Sequence, residues 1–495
     1  MKIKLFVLLF PILGFGQVQI GGDINGKEIA SESGSSVSLS ANGRILAIGA
    51  PDRVDAAGDY TGVVRVYENK EGVWTQLGDS FYGIDDDENN GTSVSLSGDG
   101  SVLAIGAPGN DIKEINAGAV RVYKNNAGVW KQIGNVIYGS DNSWSGTSIS
   151  LSADGTILAV GAPHDDNVQF ASGMVQVYEN KGGAWVSLGN PIYGKGRFDL
   201  CGQSVSLSAD GNTLAIGSSC SSVKGRNSGQ VRVFKNKGRV WTQLGGDIDG
   251  KGADAQSGYS VSLSANGTIL AVGSPYFGAG SGQVQVYKCS AAGFWGQMGP
   301  VITEGTSSFG SSISLSNNGN TLAVGAPDLN QVQVYKYNSG TSWGRKGVVN
   351  EKTPSDRTGQ SVFISSDGST LAIGSPHYNT TTKELYLVGQ VRAFDLSDLK
   401  TSKFTYTEGN SELGADDFNL VNLRYYPNPV RGELFISYDR KITSIAVVDL
   451  QGQVVVEKFI HSTQGSIDMS NFKPGVYFLN VTVAGESKNI KIIKK

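Results

Sequence analysis

Seven stretches of the chain repeat one alternation of apolar and small polar residues. The first runs from Gly34 to Pro51 as GSSVSLSANGRILAIGAP, and copies start at Gly91, Gly146, Gly202, Gly258, Gly310 and Gly359. Their spacing of roughly 49 to 57 residues is the length of one propeller blade. The SVSLS segment has the period of a strand. An Asn-Gly or Asp-Gly pair follows in every copy, from Asn42-Gly43 to Asp367-Gly368. Such a pair predicts a two-residue hairpin turn with positive φ at both positions. A second strand comes next (Thr213 to Gly217 in the fourth copy), then a third (Gly229 to Phe234) and a fourth (Val240 to Ile248). Four antiparallel strands repeated seven times predict an all-β chain with a seven-bladed β-propeller.

Each copy has two unlike faces. Val205, Leu207, Leu214 and Ile216 share one; Ser204, Ser206, Ser208, Ala215 and Gly217 share the other. Stacking bulky face on small face distributes the core between blades. The seventh copy reads DLSDLK after Phe394, where the others carry a fourth strand. That strand is found at the other end: Gln19 to Lys27 matches Gln243 to Lys251 almost residue for residue. The expectation is a ring closed by the N-terminal strand, which removes an exposed edge; an open solenoid would leave both ends incomplete.

Residues 1–16 read as a signal peptide. Lys2 and Lys4 precede the short apolar run Leu5 to Leu13, and Gly14 and Gly16 suit cleavage before Gln17. No later segment is apolar for long enough to span a bilayer as a helix, so the mature protein is expected without a transmembrane span. The propeller is placed at 17–396, a linker at 397–420 and a small β-sandwich at 421–495.

The repeats resemble the FG-GAP family, the propeller repeat of integrin α-subunits and many bacterial surface proteins. The likeness rests on the GxSVSLS start and the Gly-Ala-Pro end, as in Gly310 through Pro327. The family's calcium-binding form has an acidic loop in the first hairpin. Here a two-residue turn cannot gather six to eight oxygen ligands, so those sites are not carried over. The last segment resembles the type A C-terminal sorting domain of type IX secretion. Its motifs are YPNP (Tyr426, Pro427, Asn428, Pro429), DLQGQVV (Asp449 to Val455) and GVYFLNV, beginning Gly475, Val476, Tyr477. This likeness implies the type IX machinery as a partner and a secreted or outer cell-surface location.

Composition narrows function more than it assigns it. Gly is abundant at 68 and charged residues are only 17%. A net charge of -3 gives no basic footprint for nucleic acid. No serine sits with a base and an orienting group in the pattern, so no catalytic residue and no cofactor are expected. Asp85, Asp86, Asp87 and Glu88 are a weak metal candidate, more simply a solvated acidic turn. The repeated tryptophans (Trp74, Trp130, Trp185, Trp241, Trp295 and Trp343) suit packing, whereas Trp144 reads as outside the repeat register.

The loops between second and third strands vary widely, and recognition usually resides in variable loops on a rigid scaffold. The candidate ligand-binding face therefore holds Trp144, His164, Tyr276, Phe277, His377 and Tyr378. Cys201 and Cys220 count out opposite each other across one hairpin, which predicts a disulfide that needs a bulge; Cys289 is left over. The reading is a monomeric binding or adhesion propeller with an extracellular protein or glycan ligand. The alternative is a secreted polysaccharide-acting hydrolase or lyase.

Overall fold

The computed structural model describes residues 18–54, 58–278, 280–304, 308–338, 342–350, 355–379, 387–397, 424–426, 430–448, 454–483 and 486–494. The signal peptide, nearly all of the expected linker, and Pro427 to Pro429 lie outside them. The chain divides into two compact units at residues 402/403, and each is taken by itself.

The first unit holds seven antiparallel sheets that resemble propeller blades, one for each sequence repeat. In the first sheet, Ser36–Leu39 pairs with Ile45–Ala50, which pairs with Val63–Lys70, which pairs with Val73–Gln76. The fourth strand differs from the expectation of one continuous segment. In the fourth sheet it splits into Val240–Gln243 and Ile248–Asp249, both against Gln230–Lys237. Gly245, at φ +79, breaks it by turning the chain between the two halves.

The hairpin turn also differs. Gly43 is at positive φ, but Asn42 is not among the residues with that conformation. Ser40 and Ile45 close a four-residue connection: Ser40 N donates to Ile45 O, and Ile45 N donates to Ser40 Oγ. Asn42 Oδ1 accepts from Ser40 Oγ at 2.8 Å and from Arg44 N at 3.0 Å. The side chain thus holds the turn as an Asx device, so this Asn or Asp is chosen for what it accepts as well as for its backbone.

Sheets pack bulky face to small face. Ala47, Val64 and Val66 of the first sheet share a core with Val94, Leu96, Leu103 and Ile105 of the second. A Cβ on Gly49 would lie 2.0 Å from Gly91 O, so only glycine lets the next sheet approach this closely. Ser36 Oγ donates to that same carbonyl at 2.8 Å. The bond recurs from Ser93, Ser148, Ser204, Ser260 and Ser312 to Gly146, Gly202, Gly258, Gly310 and Gly359. Each indole does similar service further out: Trp130 Nε1 donates to Leu77 O, Trp241 to Leu188 O and Trp295 to Leu244 O.

The N-terminal segment joins the seventh sheet. Val18–Gln19 and Ile24–Asn25 both pair antiparallel with Gln390–Asp395. Trp74 Nε1 donates to Ile20 O at 2.8 Å, the bond the other sheets make to a fourth strand. Ile24, Val37, Leu39, Leu46, Ala372 and Val391 form one core cluster. At the hairpin turns Ala41 N donates to Gly98 O, and the relation continues through Ala153, Ala209, Ala265, Asn317 and Ser366. Ser366 N donates to Ala41 O.

The second unit is a small five-stranded assembly. Glu433–Val448 pairs with Arg424–Tyr426, Val454–Asp468 and Gly475–Val483, and the last pairs with Glu486–Lys494. Register breaks between Ser437 and Ser444 bend the long strands. Val430, Leu434, Ile436, Ile445, Val447, Leu479, Val481 and Ile492 are buried together.

Candidate functional site

The face that carries the loops between second and third strands also carries the links between sheets. Asn90, in a link, bridges Gly62 at the start of a third strand, and Cys201 and Ser257 bridge Gly173 and Gly229 in the same way. One slot of that face repeats in all seven sheets, two residues before the repeat's leading glycine. It holds Glu32, Asn89, Trp144, Leu200, Gln256, Ser308 and Arg357, all left-handed with φ between 50 and 59. A left-handed non-glycine residue is uncommon, and here its carbonyl is fixed each time. Ser35 N donates to Glu32 O, Thr147 N to Trp144 O and Gln360 N to Arg357 O. Trp144 is therefore inside the register, contrary to the sequence reading. Six unlike residues at equivalent positions conceal the slot.

A second slot follows the Gly-Ala-Pro end and holds Asp52, Gly109, His164, Cys220, Tyr276, Asp328 and His377. Within a sheet the two slots touch. Trp144 and His164 meet with ring centroids 4.8 Å apart and planes tilted by 35°. Ser308 Oγ donates to Asp328. Burial pushes His164 down, partly offset by Asp166. The structure thus unites two of the expected face residues in one aromatic pair and leaves the Trp144 side chain 41% exposed.

His377 leads to a charged group that the sequence reading missed. Its Nε2 lies 3.2 Å from Glu32 Oε1, across the junction of the seventh and first sheets. Burial, then the Asp52 carboxylate, raise Glu32 to about 7 against the pull of Arg357. Burial also raises Asp52, while burial and then Arg357 lower His377. Four titratable side chains from two sheets therefore share one electrostatic neighbourhood. Their common origin in the two repeated slots is the pattern that could have revealed them.

The remaining expected residues fare differently. Tyr276 is exposed and meets Tyr259 edge-on at 6.3 Å between centroids. Phe277 and Tyr378 are half-buried beside loop backbone. The acidic run is only in part a solvated turn: Asp86 and Asp87 are exposed, but Glu88 is fully buried and ion-paired with buried Arg121. Glu88 Oε2 also accepts from Ile84 N and Asp85 N. Asp85 Oδ2 accepts from Asp111 N, and Asp86 Oδ1 from Tyr60 N and Asp87 N. The Asp85 and Asp86 carboxylates thus join neighbouring loops. Among the described residues no group of three or more His, Cys, Asp or Glu is placed to hold a metal ion.

The expected disulfide is corrected as well, because all three cysteines are free thiols. A bulge between Cys201 and Ser204 shifts the register, so Cys201 lies opposite Ser218 instead of Cys220. Cys201 is buried, with Arg232 Nη2 3.3 Å from its sulfur.

In the second unit, Tyr426 ends a strand opposite Phe435, and Gly475, Val476 and Tyr477 pair with Lys494, Ile493 and Ile492. Tyr477 Oη donates to Lys473 O at 3.0 Å. Residues 424–495 match the family model of the secretion system C-terminal sorting domain. This segment is a type IX sorting domain. A sorting domain implies interaction with the type IX machinery and places the protein at the cell surface or outside. No helix among the described residues is long and apolar enough to cross a membrane.

No curated protein matches the chain. Solved structures similar to it include hydrazine synthase of Kuenenia stuttgartiensis, at 14% identity over 70% of this chain and 93% of that one, TM-score 0.48. The Swd1 β-propeller domain of Myceliophteria thermophila is 12% identical over 75% and 99%, TM-score 0.49. The periplasmic gluconolactonase of Pseudomonas aeruginosa is 19% identical over 65% and 87%, TM-score 0.46.

Proposed function

We propose that this protein is a non-enzymatic binding or adhesion propeller, exported by type IX secretion, that displays its variable-loop face to an extracellular ligand. In this reading the seven sheets are FG-GAP-type blades spanning 17–396, closed into a ring by the N-terminal strands and acting as a monomer. The segment 397–420 is a linker, and the C-terminal sheets form a sandwich over 421–495. The cycle of backbone bonds from Ala41 round to Ser366 supports the ring. So does the seat of Trp74 on Ile20.

One observation carries the functional part. At the first repeated slot the left-handed backbone is held constant in all seven sheets, yet its side chains are Glu, Asn, Trp, Leu, Gln, Ser and Arg, and the second slot beside it holds Asp, Gly, His, Cys, Tyr, Asp and His. Side chains that only pack follow the repeat, as the indoles do. Side chains that differ at a fixed position are free to recognise something else. The test is an array of extracellular proteins and glycans probed with the secreted chain and with Trp144→Ala and Glu32→Gln. Specific capture weakened by either variant supports the reading; capture indifferent to both counts against it.

A second reading, a polysaccharide hydrolase or lyase, is favoured by Glu32, Asp52 and His377 meeting at one junction. Release of new reducing ends or unsaturated products from a polysaccharide, abolished in Glu32→Gln, would move the assignment there.

A further inference from the structure

Three segments of the loop face are tied together around the third sheet: the link before it (139–145), its own loop (164–171) and the link after it (194–200). His164 N donates to Ser143 O at the start of that loop. At its end Phe198 N and Leu200 N donate to Phe170 O and Ala171 O. An aromatic pair sits at each end. Trp144 meets His164 at the first. At the second, Phe170 and Phe198 meet edge to face with ring centroids 5.1 Å apart. The Arg197 guanidinium lies over both rings, 5.4 Å from the Phe170 centroid and 5.1 Å from that of Phe198.

Packing is a poor account of the second pair. Phe170 and Phe198 are 54% and 49% exposed. Phe198 also stands at φ 62, in a left-handed slot four residues before the repeat's leading glycine. Ala30, Asp87, Asn142 and Asp254 hold that slot before other sheets. Asn and Asp accept this backbone readily, and a bulky ring does not. A strained residue whose side chain stays in water gives the fold little in return.

Charge decides what would cover the rings. Arg197 is exposed, and among the described residues it has no ion pair or hydrogen bond; the two rings are its partners. The other cations of this link and of the next sheet's loop are paired: Lys195 with Asp247, Lys224 with Asp249 and Arg226 with Asp254. The carboxylates close to it in the chain are occupied as well. Asp199 accepts from Lys195 N and Gly196 N, and Asp166 from Ala171 N. A guanidinium laid on aromatic rings keeps its N–H edge for a carboxylate. One unpaired cation serves one carboxylate. A sulfated glycan or a phosphate surface needs several, and it also meets the exposed Asp166. The rings meet at 75°, so they offer no single flat platform to a sugar. What fits is one carboxylate with apolar groups beside it, and exposed aromatic rings with Arg are the usual anchors of protein interfaces.

We propose that the cluster of Phe170, Arg197 and Phe198 is a docking point for a protein segment in which a single Asp or Glu is flanked by apolar side chains. This rests on the loop face being the recognition surface, and it names the class of partner that face takes.

The experiment probes the full secreted chain against an array of hexapeptides. Each carries one Glu or Asp flanked by Leu, Phe or Val, and each is matched by its Gln or Asn counterpart. An oligogalacturonide and heparin are the anionic glycan arms, and a panel of extracellular proteins and glycans is run in parallel. Acidic peptides are expected to be captured, with their amide counterparts at least tenfold weaker. Arg197→Gln and Phe198→Asn should each weaken capture about tenfold. Asn142 already fills the Phe198 slot before the third sheet, so Phe198→Asn should keep or raise the melting temperature while it loses affinity. A Phe198 that served only the fold would show the reverse. Val186→Ala, on an outer strand, should bind as wild type. Equal capture of acidic and amide peptides, capture unmoved by both variants, or binding of an anionic glycan alone overturns the inference. A panel ligand weakened by Trp144→Ala or Glu32→Gln but untouched by Arg197→Gln and Phe198→Asn overturns it while the recognition reading stands. Silence in every arm overturns both.

Discussion

Ser361 Oγ donates to the carbonyl oxygen of Gly34 at 2.7 Å, bridging positions 327 residues apart in the chain. It is the same bond that each sheet makes to its successor, here made between the last sheet and the first. Gly374 takes part as Gly49 does, since a Cβ there would sit 2.0 Å from Gly34 O. The junction is therefore built to the same tolerance as every other pair of sheets.

Truncating residues 18–25 uncovers the outer edge of Gln390–Asp395 and removes the acceptor of the Trp74 indole. We expect a lower melting temperature and concentration-dependent association through that edge. Trp74→Phe isolates the indole bond and should cost about 1 kcal/mol in urea unfolding. A truncated chain that melts as wild type would remove the N-terminal strands from any account of stability.

Arg121→Ala leaves the fully buried Glu88 carboxylate without its ion-pair partner. The expected loss is about 3–5 kcal/mol, the range for breaking a buried pair from one side. Other sheets hold Ser31 or Ser143 where Glu88 stands and Gln176 where Arg121 stands. The double change Glu88→Ser with Arg121→Gln should therefore recover most of that loss. Equal instability of single and double variants in chemical denaturation would show that the pair is not the cause.

Thiol labelling separates the three cysteines. Burial raises Cys201, Cys220 and Cys289 above the ordinary thiol value, and Cys201 has no exposed surface. Alkylation of the folded protein near neutral pH should be slow at Cys220 and Cys289 and absent at Cys201. Unfolding should release all three without reductant. A mass decrease of two hydrogens, mapped to the Cys201 and Cys220 peptides, would restore the disulfide.

Glu32 sets a pH dependence. Its folded value, about 7, lies above the 4.5 of the free side chain. The folded state therefore holds this proton more tightly than the unfolded state. The resulting stabilisation is complete below about 4.5 and fades as pH rises through about 7. Asp52, Arg357 and His377 are the charged or titratable groups facing it among the described residues. Wild type should lose melting temperature relative to Glu32→Gln between pH 5 and pH 8, the range spanned by that rise (about 4.5 to 7). Parallel profiles would place the titration elsewhere.

Strand order and pairing in the sheets were legible because the repeat prints the same alternation seven times. The N-terminal completion was legible from Gln19 to Lys27 alone, since those residues copy a fourth strand. Turn length was misread: the Asn42 side chain accepts from Ser40 and Arg44, a bond that hairpin dipeptide rules do not contain. The disulfide was misread because counting assumes a regular ladder, and the bulge after Cys201 is not regular. The face was half legible. His164 and His377 stood out as rare residues. Glu32, Asp52 and Arg357 did not, because ordinary charged residues gain meaning only when equivalent positions in different sheets are superposed.

The pairing of Val18 with Asp395 also fixes an order of events. The early strand must wait for a partner 377 residues further along the chain. Until then the chain carries an unpaired end, and so remote a contact forms slowly. A seventh sheet that takes its outer strands from the chain's own beginning can be finished only after the whole of the repeat region is available to fold.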